Sequence, residues 1–193
     1  DEDDGDPYAD QGLFSLPETV LRPGWALQSL DLSHQPDYML CDVVVDCICQ
    51  AMQQQHERST LGCQLRKLML TGGMVGDDGA CQLAGIAKEP WSQLQVLALD
   101  SNSIGDRGVL GFAAAVSSPA NQLKRLYLHG SDDSVGHLGM ASMLAAVMPD
   151  QDSKRDTCHL ELLTLPECDD EFFELADSLS EALDRAGVEF RQE

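Results

Sequence analysis

The chain has 193 residues, of which 33 are Asp or Glu and 12 are Lys or Arg, and its formal net charge is −21. A surface this acidic repels nucleic-acid phosphates and anionic lipids, so we expect neither as a partner and favour basic protein surfaces. One domain suits this length, and no apolar run is long enough to cross a bilayer, so we expect no membrane insertion.

Residues 1–24 are predicted to form an acidic N-terminal tail and cap. Six of the first ten residues are acidic, and we expect Asp3, Asp4 and Tyr8 to contact a basic surface of a protein partner. The apolar residues that follow, such as Leu13 and Leu21, are expected to cover the edge of the first repeat, because the ends of repeat arrays need caps.

From residue 25 to residue 193 the chain repeats the pattern Leu-x-x-Leu-x-Leu, and the seeds at Leu65, Leu94 and Leu123 start 29 residues apart. Leucines two residues apart in a strand point to the same face, so each seed predicts a strand with one buried face. The predicted strands lie near residues 27–32, 65–70, 94–99, 123–128 and 160–165, with a further strand possible at 188–190.

A second motif keeps the same period and predicts a turn into a helix. It reads Ile-Gly-Asp-Arg-Gly at residues 104–108, with copies at 75–79 and 135–139. Apolar residues with helical spacing follow each copy, and Pro90 and Pro119 can stop the first two helices. A strand–helix unit cannot bury its leucines alone, so the units must stack into a parallel array. Helices pack more widely than strands, so the array should curve with the strands inside.

These repeats resemble the leucine-rich-repeat family, and the Ile-Gly-Asp-x-Gly turn resembles its ribonuclease-inhibitor-like subclass. The resemblance implies an α/β solenoid of about five repeats, a right-handed horseshoe with a parallel sheet on the concave face and helices on the convex face. The subclass includes enzyme inhibitors, nucleotide-sensor receptors, actin-capping proteins and a GTPase activator. The position of the family's polar ladder holds Asn102 in one repeat but Gln35, Gly73, Ser131 and Cys168 in the others, so we expect a weak ladder.

Two units are longer than the others, and their extra residues fall around 53–63 and 150–157. Both insertions are predicted to be loops between a helix and the next strand, emerging on one rim of the shell. This rim is a candidate second contact surface, with His56, Arg58, Lys154 and Arg155 as its predicted contact residues. The alternative is that these loops have drifted in length without a function.

The concave face is the main candidate binding site. The residues that alternate with the leucines are mixed in character, with cations beside an aromatic residue, as in protein interfaces. Small Ala98 is expected to leave a shallow trough, and we expect an acidic or mixed-charge helix or loop to bind this face. The alternative places the partner on the convex side. The predicted contact residues are Lys67, Met69, Val96, Asp100, Arg125, Tyr127 and His129.

We expect no catalysis, metal or cofactor. His129 and Asp100 share a row of the sheet, but no Ser or Cys nucleophile is placed beside them. The seven cysteines show neither disulfide-framework nor zinc spacing, so they are interpreted as reduced thiols. Activation of a small GTPase through Arg66 or Arg107 is an alternative, although no motif singles these residues out.

The sequence therefore predicts a non-catalytic protein-binding module, an accessory or scaffold subunit of a hetero-oligomeric complex. The alternative is a regulator of an enzyme, either a small-GTPase activator or an enzyme inhibitor, that acts through the concave face. We expect a cytoplasmic or cytoskeleton-associated protein, or an organellar one if a targeting sequence has been removed.

Overall fold

The computed structural model describes residues 26–34, 40–130, 135–148, 159–165 and 173–192. Strands and helices alternate along these residues. In chain order they are β1 (Ser29–Asp31), α1 (Asp42–Arg58), β2 (Lys67–Met69), α2 (Asp77–Ala87), β3 (Val96–Ala98), α3 (Asp106–Val116), β4 (Arg125–Tyr127), α4 (His137–Val147), β5 (Leu162–Leu165), α5 (Phe173–Ala186) and β6 (Glu189–Gln192). The predicted tail and cap, and the second insertion, lie outside the described residues.

The six strands form one parallel sheet in which the spatial order equals the chain order. The middle leucines of the seeds align across it, with Leu30 opposite Leu68, then Leu97, Leu126 and Leu163. Each helix also packs against the helix of the next unit. The chain is therefore an α/β protein of stacked strand–helix units, and this part of the predicted architecture is confirmed.

The core lies between the sheet and the helices. The three leucines of the second seed, Leu65, Leu68 and Leu70, are fully buried, and those of the third and fourth seeds are almost equally so. They share one hydrophobic cluster with the helix residues that carry the helical spacing, such as Phe112 and Val116. Each buried leucine contributes roughly 1.5–3 kcal/mol relative to an exposed one, so this shared core holds neighbouring units together.

In three successive units, a carboxylate caps the helix of the next unit. Helix α3 begins after Gly105, which has no side chain to serve as a cap. Asp77 of the preceding unit supplies the acceptor instead, and its Oδ1 receives the N–H groups of Gly105 at 2.9 Å and Gly108 at 2.7 Å. These are two of the four N–H groups that a helix start leaves without a partner, and the negative charge also suits the helix dipole.

The same arrangement occurs on both sides of α3. Oδ1 of Asp42 accepts the N–H groups of Gly76 and Gly79, and Oδ1 of Asp106 accepts those of Gly136 and Gly139. We call Asp42, Asp77 and Asp106 the capping ladder. It stands at the turn motif rather than at the family's polar position, and three successive units share it.

The second glycine of each turn allows this close approach. A Cβ atom on Gly108 would lie 2.6 Å from Cγ2 of Ile104 and 2.9 Å from Oδ1 of Asp77. A larger residue would therefore displace the carboxylate from the amides that it caps.

Asn102 occupies the family's polar ladder position and is buried. Its Nδ2 donates to the carbonyl oxygens of Leu70 at 2.9 Å and Leu99 at 2.8 Å, and its Oδ1 accepts the N–H of Val75 at 3.0 Å. One amide thus joins the turns of two units, and Gly73 at the matching position of the preceding unit has no side chain to do the same.

The prediction of a rim loop at residues 53–63 is wrong over most of its length. Helix α1 has 17 residues, whereas α2 has 11, and it continues through Arg58. Residues 53–58 are Gln, His, Glu and Arg, which are compatible with a helix, and Gly62 is the first residue there that breaks one. Met52 and Gln55 are fully buried, so packing on the core sustains the added turns.

After α5 the sheet continues to a sixth strand. Gly187 follows α5 with a φ of +73°, the left-handed conformation that commonly ends a helix, and β6 then pairs with β5. Among the described helices, none combines the length and the apolar character that crossing a membrane requires.

Candidate functional site

The candidate site is the face of the sheet opposite the helices, which we call the open face. Because side chains alternate along a strand, burial of Leu68, Leu97 and Leu126 turns their neighbours away from the core. The register then forms two rows across the sheet. One row contains Lys67, Val96 and Arg125, and the other contains Met69, Ala98 and Tyr127. The structure therefore brings these predicted contact residues together.

Cations mark the end of the open face where the strands begin. Lys67 is exposed and forms no ion pair with any described residue, although Asp31 on β1 is close enough to interact with it electrostatically. Arg125 lies 3.9 Å from Glu161, which also binds Lys124 at 3.0 Å. The side chains of Lys124, Arg125 and Glu161 are about half exposed, so both ion pairs are weak. Glu161 was not predicted, and it offsets part of the positive charge at this end.

The middle of the open face is apolar. Met69, Val96 and Tyr127 are half-buried, and the Tyr127 hydroxyl has no hydrogen-bond partner among the described residues. Ala98 lies between Met69 and Tyr127 but is only 4% exposed. Larger neighbours therefore cover most of Ala98, and the shallow trough between Met69 and Tyr127 stays a prediction. A partner can contact the larger side chains around Ala98 rather than Ala98 itself.

Asp100 marks the other end of the open face, just beyond β3. Its Oδ1 accepts the backbone N–H of His129 at 3.1 Å and faces the hydroxyl of buried Thr164 at 3.5 Å. Burial raises the pKa of Asp100, while the bond from His129 opposes that rise. Both contacts use Oδ1, so Oδ2 is available to a donor from outside the described residues. Asp100 and His129, which were predicted to share a row, thus form a hydrogen bond through the backbone of His129.

The open face is accessible on some strands only. All four residues of β5 are buried, including Leu162 and Thr164, which belong to the same rows as Arg125 and Tyr127. The displayed side chains therefore lie on β1 to β4, together with the exposed Glu189 and Arg191 of β6.

The structure describes two of the other predicted contact residues, and both lie on helix α1 rather than on this face. Asp3, Asp4, Tyr8, Lys154 and Arg155 lie outside the described residues. Arg58 is exposed at the end of α1, and His56 is half-buried one turn earlier. The His56 ring stacks on Trp91 with a centroid distance of 4.7 Å, so His56 fixes the end of α1 against the next unit rather than projecting from a loop.

Two arginines were considered as contributors to regulation of a GTPase. Arg107 lies on α3 and forms an ion pair with Asp78 of α2. Arg66 is exposed immediately before β2, beside Lys67 of the open face. The structure therefore places Arg107 on the helical side and Arg66 at the edge of the open face.

A cavity of about 590 Å³ at the start of the strands was not predicted. Its lining includes Pro90, Pro119, Asn121, Lys124, His159 and Glu161. Asn121 is buried, and its Oδ1 accepts the N–H of Leu123 at 3.0 Å. No pattern in the sequence indicated this cavity, because its lining residues come from three separate connections between a helix and the next strand.

The comparisons with known proteins bear on the fold. No protein-family model matches the sequence, and no curated protein has a matching sequence. The fold has a solved neighbour. It is similar to a structure described as Leiomodin-1 Actin-Binding Site 2 (ABS2), with a TM-score of 0.59 and 14% sequence identity. The match covers 93% of this chain and 90% of that chain, so the whole array is alike in fold.

Proposed function

We propose that this chain is a leucine-rich-repeat solenoid of the ribonuclease-inhibitor-like subclass that binds protein without catalysis, as an accessory or scaffold subunit of a larger assembly. The observation that carries the proposal is the open face. There the Lys67 ammonium, the Tyr127 hydroxyl and Oδ2 of Asp100 have no hydrogen-bond partner among the described residues. They surround an apolar centre formed by Met69, Val96 and Tyr127.

The composition of this face supports an interface. The chain is strongly acidic, yet four of its twelve basic residues, Arg66, Lys67, Lys124 and Arg125, stand at the start of β2 and β4, the two strands that flank β3. Arginine and tyrosine are enriched where proteins bind one another, since each combines a large contact area with polar groups. The mixture therefore favours a protein ligand.

The structural neighbour suggests the first partner to test. That structure is described as an actin-binding site, and a cytoskeleton-associated role is part of our proposal. Cosedimentation of the full chain with actin filaments measures this directly. Binding would identify the partner, whereas its absence would direct the search to other proteins.

A variant that reverses two charges of the open face and removes its aromatic ring tests the proposed site. We expect the Lys67→Glu, Arg125→Glu, Tyr127→Ala triple variant to lose the proteins that co-purify with the tagged wild-type chain, measured by quantitative mass spectrometry. Each side chain is at least partly exposed, so the fold should survive, and circular dichroism checks this.

A matched control carries the same changes away from the open face. Lys88→Glu, Arg185→Glu and Leu138→Ala alter exposed residues of the helical side and change the net charge equally. This control should retain the co-purified proteins. Retention by the open-face variant, with loss in the control, would move the binding site to the helices.

Enzyme regulation through the same face remains the alternative, supported by the resemblance of the repeats to a branch that activates a small GTPase. Addition of the chain to candidate GTPases separates the two functions. Binding without faster hydrolysis supports the scaffold, and faster hydrolysis that depends on Arg66 supports the activator.

A further inference from the structure

The open face is electrically polarised along the strand direction. Lys67 and Arg125 stand level with Val96 at the start of β3, and Asp100 stands four residues further along the same segment. At about 3.3 Å per residue, the two ends are separated by roughly 13 Å. The apolar residues Met69 and Tyr127 lie between them. A ligand that spans this face therefore meets cations, then apolar surface, then an anion.

We infer that the open face binds one amphipathic α-helix of a protein partner, lying along β3, with an acidic residue at one end, apolar residues in the middle and a Lys or Arg at the other end. The acidic end lies over Lys67 and Arg125, and the basic end donates to Oδ2 of Asp100. This inference rests on the proposed function and specifies the chemistry of the partner.

Two geometric arguments favour a helix over an extended peptide. Strand hydrogen bonds run within the sheet, so the open face offers few backbone partners, and a strand lying over Met69 and Tyr127 would leave its own amides unpaired. A helix satisfies them internally. The side chains of β2 and β4 also stand roughly 10 Å apart across β3, which is about the diameter of a helix.

The spacing of the charges sets the length of the helix. At 1.5 Å per residue, about nine helical residues cover the roughly 13 Å between the cationic and anionic ends. An acidic residue at position i, a leucine at i+4 and a lysine at i+8 lie on one stripe of such a helix. Three residues of this stripe would therefore reach Lys67 or Arg125, Tyr127 and Asp100 together.

Synthetic helical peptides test the inference with the full chain. The first peptide has Glu, Leu and Lys at i, i+4 and i+8, the second has Glu at both ends, and the third has Lys at both ends. We expect the first to bind the wild-type chain at least about tenfold more tightly than either of the others, as expected when one charge-assisted bond is lost. Titration followed by fluorescence anisotropy measures this. Equal binding of all three peptides, or no binding of any, would overturn the inference.

Variants of the chain assign each end of the peptide. The Lys67→Glu, Arg125→Glu variant should prefer the peptide with Lys at both ends. Asp100→Asn, which keeps an acceptor for the His129 amide, should no longer distinguish the first peptide from the peptide with Glu at both ends. An unchanged order of preference in both variants would contradict the assignment.

The two proposals fail differently. If the open-face triple variant loses its co-purified proteins while the peptides show no charge preference, the binding face stands and the inferred helix is wrong. If the triple variant keeps all its partners, the proposed binding face is itself wrong.

Discussion

Removal of one carboxylate of the capping ladder should destabilise the protein far more than removal of its exposed neighbour. Asp77→Ala deletes the acceptor of two amides, those of Gly105 and buried Gly108. A hydrogen bond to a charged group contributes about 1.5–3 kcal/mol. Because one half-buried oxygen receives both bonds, we expect the free energy of unfolding to fall by about 2–4 kcal/mol.

Asp78→Ala is the matched control. Asp78 follows Asp77 in the first turn of α2, so both substitutions remove one negative charge from the same helix start. Asp78 is 72% exposed and forms only a surface ion pair with Arg107, which contributes about 0–1 kcal/mol. Urea unfolding followed by circular dichroism gives both values. If the two variants lie within about 0.5 kcal/mol of each other, the ladder does not stabilise the array.

Three further predictions concern individual residues. Gly108→Ala should lower the unfolding free energy by about 1–3 kcal/mol because its Cβ would clash with Ile104. Gly85 lies in a helix, and a new Cβ there would meet no described heavy atom within 4 Å apart from the adjacent backbone of its own helix. Gly85→Ala should therefore raise the unfolding free energy by up to about 1 kcal/mol, and thermal melts in which both variants shift in the same direction would contradict these two predictions. Burial raises the pKa of Asp100, so the Asp100 carboxyl binds its proton more tightly in the folded chain than in the unfolded chain. The free energy of unfolding should therefore fall as the pH rises from the ordinary pKa of Asp through the raised pKa. Asp100→Asn removes this titrating group, so its stability relative to wild type should increase across that pH range. Urea unfolding at several pH values measures both chains, and a difference between them that does not change with pH would contradict this prediction. Burial raises the pKa of Cys49 to about 12, so iodoacetamide at pH 8.5 should label it only after denaturation, and labelling of the native chain detected by mass spectrometry would show that the thiol is accessible.

The strands and most helices could be predicted because their signals are local. Leu94, Leu97 and Leu99 place three buried side chains within six residues, and the turn at Gly105 follows at once. Helix α1 was harder to predict because its last two turns are polar, and only packing on the core shows that Gln55 is buried. The sequence shows helix propensity there, but not which neighbour the helix meets.

The capping ladder was missed for a different reason. Each Asp bonds amides of the following unit, so Asp77 and Gly108 are 31 residues apart in the chain. The first member, Asp42, follows Cys41 rather than a glycine, which hides the repeat of the turn motif. Contacts between units are fixed by stacking, and a pattern within one unit does not reveal them.

For the candidate site, alternation along the strands correctly identified which side chains leave the core, but not how exposed they are. Ala98 and Leu162 belong to the displayed rows yet are buried, because exposure depends on the side chains of the neighbouring strands. The partial neutralisation of Arg125 by Glu161 also joins residues of two strands. The sequence therefore predicts the face, and the structure is needed to rank its residues.

The capping ladder makes each of its capped units depend on the unit before it, and not on the unit after it. Every helix start in its span relies on a carboxylate of the unit before it, while no carboxylate of the ladder bonds a unit before its own. A break after α3 would leave the α2 and α3 caps complete, whereas a break before α2 would remove the Asp42 cap from the first helix that remains. Shortened forms of this chain should therefore tolerate the loss of C-terminal units better than the loss of N-terminal ones.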